Sequence, residues 1–294
     1  MKLVKRAIAL ASLLALSTGA LAGNSVSNNV PSGAVLFSDD SAERWIDVND
    51  NGVLDIGDKL RGILTINQIS GGGPATLIGG NTGNNELTGI FQTVVTNMVA
   101  AGTGKFDYTF AADAAFAAEF GLAAGTVGAF FDDSANNFAR EGCGTYGACE
   151  ATATGGALWA SFGLSGGFWT AAGAAANPGL GAVLPLGTPL GTFGIGMNFV
   201  VNNTGYQWNK VNCFDTTTFT MYQVDFCGQG GILASGRNAD NNPGLPGMQS
   251  TNTPYELFDN VDFTANRVPE PTSLVLTGMA LLGLGAAARR SKKQ

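Results

Sequence analysis

The chain has 294 residues, of which 43 are glycine and none is histidine, and only 13% are charged. That length suits one large or two small domains with a buried core. The missing histidine excludes Ser-His-Asp and Cys-His catalysis and any His-ligated zinc site. Seven of the fifteen basic residues sit in the two tails, leaving eight against twenty-two acidic residues between Asp39 and Glu270, a formal body charge near −14. Such a body repels nucleic acid and anionic membrane surfaces and attracts cations.

In chain order, the first element is an export signal. Lys2, Lys5 and Arg6 precede an apolar run over 7–16, and Ala20-Leu21-Ala22 supplies the small residues that signal peptidase accepts. The expected division is a signal peptide over 1–22, a β-rich extracellular body over 23–267, and a C-terminal segment over 268–294. Within the body, stretches rich in Phe, Val, Thr and Ala alternate with Gly, Asn and Pro clusters. They predict strands over 34–37, 60–69, 87–99, 105–110, 126–131, 158–162, 192–201, 214–226 and 255–263, with a short helix within 111–124. The period-two pattern of 105–110 is that of a half-buried antiparallel strand. The expected fold class is all-β, an antiparallel β-sandwich with long Gly/Asn-rich loops over 71–85 and 238–247.

Between the first two strands lies DVNDNGVLDIGD, residues 47–58. Numbered from Asp47, it places oxygen donors at the six positions that wrap a chain around one calcium ion: Asp47, Asn49, Asn51, the Val53 carbonyl, Asp55 and Asp58. Gly52 falls at the sharp turn and Leu54 is an apolar residue to face the core. The pattern resembles the calcium loops of dockerins and other extracellular EF-hand-like modules, which implies bound calcium. Asp rather than Glu at the twelfth position implies affinity of roughly 10⁻⁴ to 10⁻³ M. The same residues also suit an Asx-rich turn that needs no ion. Asp39, Asp40 and Glu43 just upstream add negative potential without ligand spacing.

Cys143, Cys149, Cys213 and Cys227 form an even set without CxxC spacing. In an oxidising compartment the simplest of the three connectivities joins Cys143 to Cys149 and Cys213 to Cys227. Asp132, Asp133, Glu141 and Glu150 are the nearest approach to a glycosidase acid pair, though solvated loop acids look the same in sequence. Trp45, Trp159, Trp169 and Trp208 suit either sugar stacking or a sandwich core.

The end of the chain is the most specific stretch. Pro269-Glu270-Pro271 interrupts regular structure; an uncharged run over 273–288 follows, then Arg289, Arg290, Lys292 and Lys293. As a helix the run spans roughly 24 Å, short of a ~30 Å hydrocarbon core unless its flanks join it. The basic cluster sets the orientation, tail in the cytoplasm and body outside. This order of motif, span and basic end resembles the PEP-CTERM sorting signal of Gram-negative bacteria. The resemblance implies recognition by an exosortase, cleavage near the motif, transient anchoring in the inner membrane, and delivery to the cell surface or an extracellular exopolysaccharide or biofilm matrix. It covers an address and leaves the body's activity open. The leading expectation is a non-enzymatic surface or matrix protein with one weak calcium site. A carbohydrate-binding or adhesive module is the alternative, and a secreted glycoside hydrolase the third.

Overall fold

The computed structural model describes residues 25–79, 84–178, 180, 184–236 and 253–269. The expected signal peptide, the expected loop over 238–247, Glu270, Pro271, the run over 273–288 and the basic cluster lie outside the described residues. Among the described residues no helix is long and apolar enough to cross a membrane.

Thirteen strands and two short helices make up the body. They are β1 (Gly33–Ile46), β2 (Lys59–Gly71), β3 (Gly73–Leu77), β4 (Glu86–Gly102), β5 (Lys105–Ala112), α1 (Ala114–Glu119), β6 (Thr126–Asp133), α2 (Tyr146–Ala153), β7 (Ala157–Ala175), β8 (Pro189–Asn202), β9 (Trp208–Asn209), β10 (Val211–Asp215), β11 (Thr220–Val224), β12 (Phe226–Ala234) and β13 (Leu257–Arg267). The all-β, antiparallel character is as the composition predicts. The pairing, however, runs as one circuit instead of two separately paired sheets. Strand β1 pairs with β2, β2 with β4, β4 with β5 and β6, these two with β7, then β7 with β8, β8 with β12, β12 with β13, and β13 with β1 again. Neighbours in the sheet are thus near neighbours in sequence, as in an up-and-down barrel, and closure removes the main edges.

Strands β5 and β6 share one position in this circuit. Along β4, β5 pairs with residues 93–102 and β6 continues with 86–91, so the two read as a single strand interrupted by a detour over 113–125. The detour contains α1, capped by the Asp113 side chain, which accepts the Ala115 N–H, and ended by Gly121 at φ 62°. Only a residue without Cβ takes that left-handed turn at no cost, which is why the helix is shorter than the predicted stretch. Opposite the detour, the nineteen-residue β7 changes register between Gly163 and Phe168. Bulges of this kind let long strands bend around the circuit.

The interior is aromatic. Phe226 sits 4.8 Å from Phe162, 5.3 Å from Phe37, 5.5 Å from Trp208 and 5.6 Å from Phe199, so one ring joins four other elements of the wall. Outside the wall, α1 and α2 cover Ile63, Ile90 and Ala129 together with Tyr255. On another face the β10–β11 hairpin covers Phe168, with Cys213 and Val224. The predicted strand 214–226 is in fact the end of β10, a turn, β11 and the start of β12. The turn forms because the Asp215 carboxylate accepts the Thr217 N–H and hydroxyl and the Thr218 hydroxyl. The first strand, in turn, runs well past 37 to Ile46, because its charged residues find partners on neighbouring elements. Cys143–Cys149 and Cys213–Cys227 are the disulfides, joining the pairs adjacent in sequence.

Candidate functional site

The loop 47–58 is closed by its own side chains. Asp47 accepts the Asn51 N–H at 3.3 Å and the Gly52 N–H at 2.7 Å, which bends the chain at Asp50 and Gly52, both with positive φ. Asn51 Oδ1 accepts the Val53 N–H at 2.7 Å. Asn49 and Asn51 both turn their amides onto Asp55, at 3.0 and 2.7 Å. Asp58, almost fully buried, accepts the Val48 N–H and the Asp55 N–H, each at 2.8 Å. Burial raises its carboxyl above the usual range while these two N–H groups pull it down. The loop is also sewn to the wall: Leu54 is buried and donates its N–H to Ala176 O, Gly57 donates to Val95 O, and Tyr108 OH donates to Leu54 O.

As a cation cradle the loop has mixed credentials. The side chains of Asn49, Asn51 and Asp55 converge, and turning either amide over would present oxygen in place of N–H. Both Asp58 oxygens, however, are engaged by main-chain N–H groups. Among the described residues no three or more His, Cys, Asp or Glu side chains are grouped to hold a metal ion.

The candidate catalytic acids are engaged elsewhere. The Arg61 guanidinium is bidentate to Glu150 at 2.8 and 2.7 Å and to Glu119 at 2.8 and 2.7 Å, and it also donates to Gln92. This ties α1 and α2 to β2, and Arg61 holds Glu119 below its ordinary value. Asp132 accepts Ser25 Oγ, the Val26 N–H and Asn85 Nδ2, fixing the segment before β1. Asp133 accepts the Ala135 N–H, and Glu141 borders a surface pocket with Asp40 and Arg140.

The tryptophans form no exposed row. Trp45, Trp159 and Trp169 are buried, and the half-buried Trp208 packs on Phe37, Trp159, Phe199 and Phe226. A different surface feature opens at the β5/β6 interruption, a pocket of about 440 Å³ between the wall and the β10–β11 hairpin. Phe168 and Tyr222, 4.8 Å apart, line it together with Thr109, Thr170 and Thr218, and its carboxylate, Asp215, lies below its usual pKa through its threonine donors despite burial. Sequence reading missed this pocket because no local motif marks a strand detour facing a remote hairpin.

It also missed the placement of the acids on β1. Asp39, Ser41 and Glu43 are buried at alternate positions, and Asp259 on β13 is buried against them. The available signal was three polar residues at period two inside a strand-length segment of a charge-poor chain.

Val268, just past β13, donates its N–H to Gln207 O, and Pro269 is exposed immediately beyond it. No protein-family model, curated protein or solved structure matches the chain.

The loop geometry separates two roles by mutation. In chelator, Asp58→Ala leaves two N–H groups without their acceptor and is expected to lower stability by about 1–3 kcal/mol in urea unfolding. Asp55→Ala removes only contacts to exposed amides and is expected to cost less than about 0.5 kcal/mol under the same conditions. Equal losses would show that the loop is not organised by Asp58.

Proposed function

We propose that this is an exported, non-enzymatic cell-surface or matrix protein, processed by an exosortase at Pro269-Glu270-Pro271 and associated with exopolysaccharide. The observation that carries the reading is the order of closing strand and motif. Strand β13 closes the circuit and ends at Arg267, and Pro269, two residues on, is exposed, which supports cleavage at the motif with the barrel intact. The two disulfides support an oxidising destination. The engagement of Glu150 by Arg61 and of Asp132 by Ser25, Val26 and Asn85 favours a structural body over a hydrolase.

In this reading one calcium ion is held by Asp47, Asn49, Asn51, the Val53 carbonyl and Asp55, with Asp58 ordering the loop. Its contribution is to stiffen the β1–β2 connection by neutralising a strongly acidic surface.

A second reading, carbohydrate binding, is favoured by the pocket under the β10–β11 hairpin. Its threonine hydroxyls offer donors and acceptors beside an aromatic floor, and none of the side chains lining it is cationic, which suits a neutral sugar better than a phosphate.

Three measurements test these statements. In a host with an exosortase, replacing Pro269, Glu270 and Pro271 by alanine is expected to trap the protein in the inner membrane, and unchanged release would refute the processing reading. Calorimetry is expected to show sub-millimolar to millimolar calcium binding that Asp55→Ala weakens about tenfold or more; no heat in either protein removes the ion. Finally, Tyr222→Ala is expected to weaken retention on the host's neutral exopolysaccharide at least about fivefold, since a ring contact is worth about 1 kcal/mol; undiminished retention moves sugar binding away from this pocket.

A further inference from the structure

The circuit has one irregular seam. Strands β1 and β13 pair regularly from Gly33↔Arg267 to Phe37↔Phe263 and meet again at Glu43↔Leu257, but residues 38–42 have no ladder partners among 258–262. On their other sides both strands pair through this interval, with β2 and with β12. Side chains fill the interruption. The Ser41 hydroxyl donates to Asp259 Oδ1, and the carboxyls of Glu43 and Asp259 lie within hydrogen-bonding reach of each other. Glu43 is fully buried, yet neither of its oxygens meets an N–H or hydroxyl donor, and the same holds for Asp39 Oδ1.

Asp259 has the Ser41 hydroxyl and a main-chain N–H at Val261 as donors, but Glu43 has none, so the two buried carboxyls in contact are stable only if one supplies a proton, because two buried anions at that range repel strongly. The charged neighbours do not remove the need. From β1 the cluster meets Asp39 and Asp40, and from β13 it meets Asp259 and Asp262. The segment after β6 brings a single base, Arg140, already paired with Asp40 and accompanied by Glu141. Glu256, just before β13, accepts the Trp45 N–H of β1 and lies against Tyr146 and Arg44, so it is a further buried carboxyl at the end of the seam, pushed up by burial to about 8.

We propose that the β1–β13 seam is a proton-closed latch in which the carboxyls of Asp39, Glu43 and Asp259, with the Ser41 hydroxyl as a donor, hold the two strands together while protonated and part them locally when they ionise. Burial sets the direction: it pushes Asp259 up to about 7 and holds Asp39 and Glu43 well above the usual carboxylate range. An acid with a raised pKa in the closed state stabilises that state fully below its ordinary pKa near 4, and loses that contribution as pH rises through the closed-state value. The latch is therefore shut in mildly acidic surroundings and loosens between about pH 6 and 8. Opening would release the 38–42 segment without breaking the β5, β7 and β8 ladders on the opposite side of the circuit.

Amide hydrogen exchange of the full chain tests this. Protection factors, which divide out the intrinsic pH dependence of exchange, are expected to fall at least about tenfold for 36–44 and 257–263 between pH 5.5 and 8.5, since each unit of pKa difference between two states is a factor of ten between them. Amides of β5 and β7 should keep theirs. Glu43→Gln and Asp259→Asn are each expected to shrink the fall at the seam, both in the natural chain and in a Glu256→Gln background, which removes the separate titration of Glu256. Constant protection at the seam, an equal fall in every strand, or a fall that survives both seam variants would overturn the proposal. Carbon-13 resonances of aspartate carboxyls in the unsubstituted protein give a readout that needs no variant. At least one aspartate titrating near neutral pH is expected, and none titrating above pH 5 would overturn the latch.

Discussion

The pairing of the last strand with the first is the constraint on which the rest of this structure depends. When β13 takes its place between β12 and β1, the sheet has no long free edge, and the apolar side chains of the wall become an enclosed interior. Phe226, Phe37, Phe162, Trp208 and Phe199 can crowd one another only because the strands that bear them are held in a closed path. Residues at opposite ends of the body must meet before that interior exists, so the fold has high contact order and forms late, once the whole body is available.

What lies outside the wall is fastened by polar chemistry. Arg61 draws Glu119 and Glu150 together and so pins both helices to β2, while the disulfide Cys213–Cys227 pins the β10 hairpin to β12. A buried guanidinium bidentate to two carboxylates is costly to desolvate and costly to break, so it specifies where the helices sit more than it adds net stability. The seam is the opposite case. There the carboxyls have no base in contact, and the only way to keep them buried is to keep them protonated. One acidic body thus contains a pair-locked face and a proton-locked face, which respond differently to pH.

Much of this was legible along the chain and some of it was not. The strands 60–69, 87–99, 105–110 and 126–131 follow from local composition; the buried residues of 105–110 alternate, whereas 60–64, 86–93 and 126–131 are buried on both faces, as continuous apolar runs are. The cysteine pairing followed from spacing and compartment. The closed circuit did not, since it is decided by which distant edges meet, and alternation is the same in a sandwich and a barrel. Strand β1 was read too short because Asp39, Asp40, Glu43 and Arg44 look like solvent-facing residues until Asp259, Arg140 and Glu150 are placed beside them. Helix α2 was missed because its eight residues, Tyr146–Ala153, have almost no amphipathic pattern; the Thr145 cap and the disulfide hold it instead. The loop 47–58 was legible in its ligand spacing, but the double use of Asp58 by Val48 and Asp55 is a property of the folded turn.

The functional reading rests on the same closure. Strand β13 reaches Arg267, so the closing strand is complete before Pro269-Glu270-Pro271, and the proposed processing rests on that order along the chain. If the last strand does close the fold, the body must unfold as one unit. Differential scanning calorimetry of residues 23–267 at mildly acidic pH tests that directly. A single transition whose van't Hoff and calorimetric enthalpies agree is the expected result. Two separated transitions, with β1 and β13 lost in the first while the remaining strands persist, would contradict it.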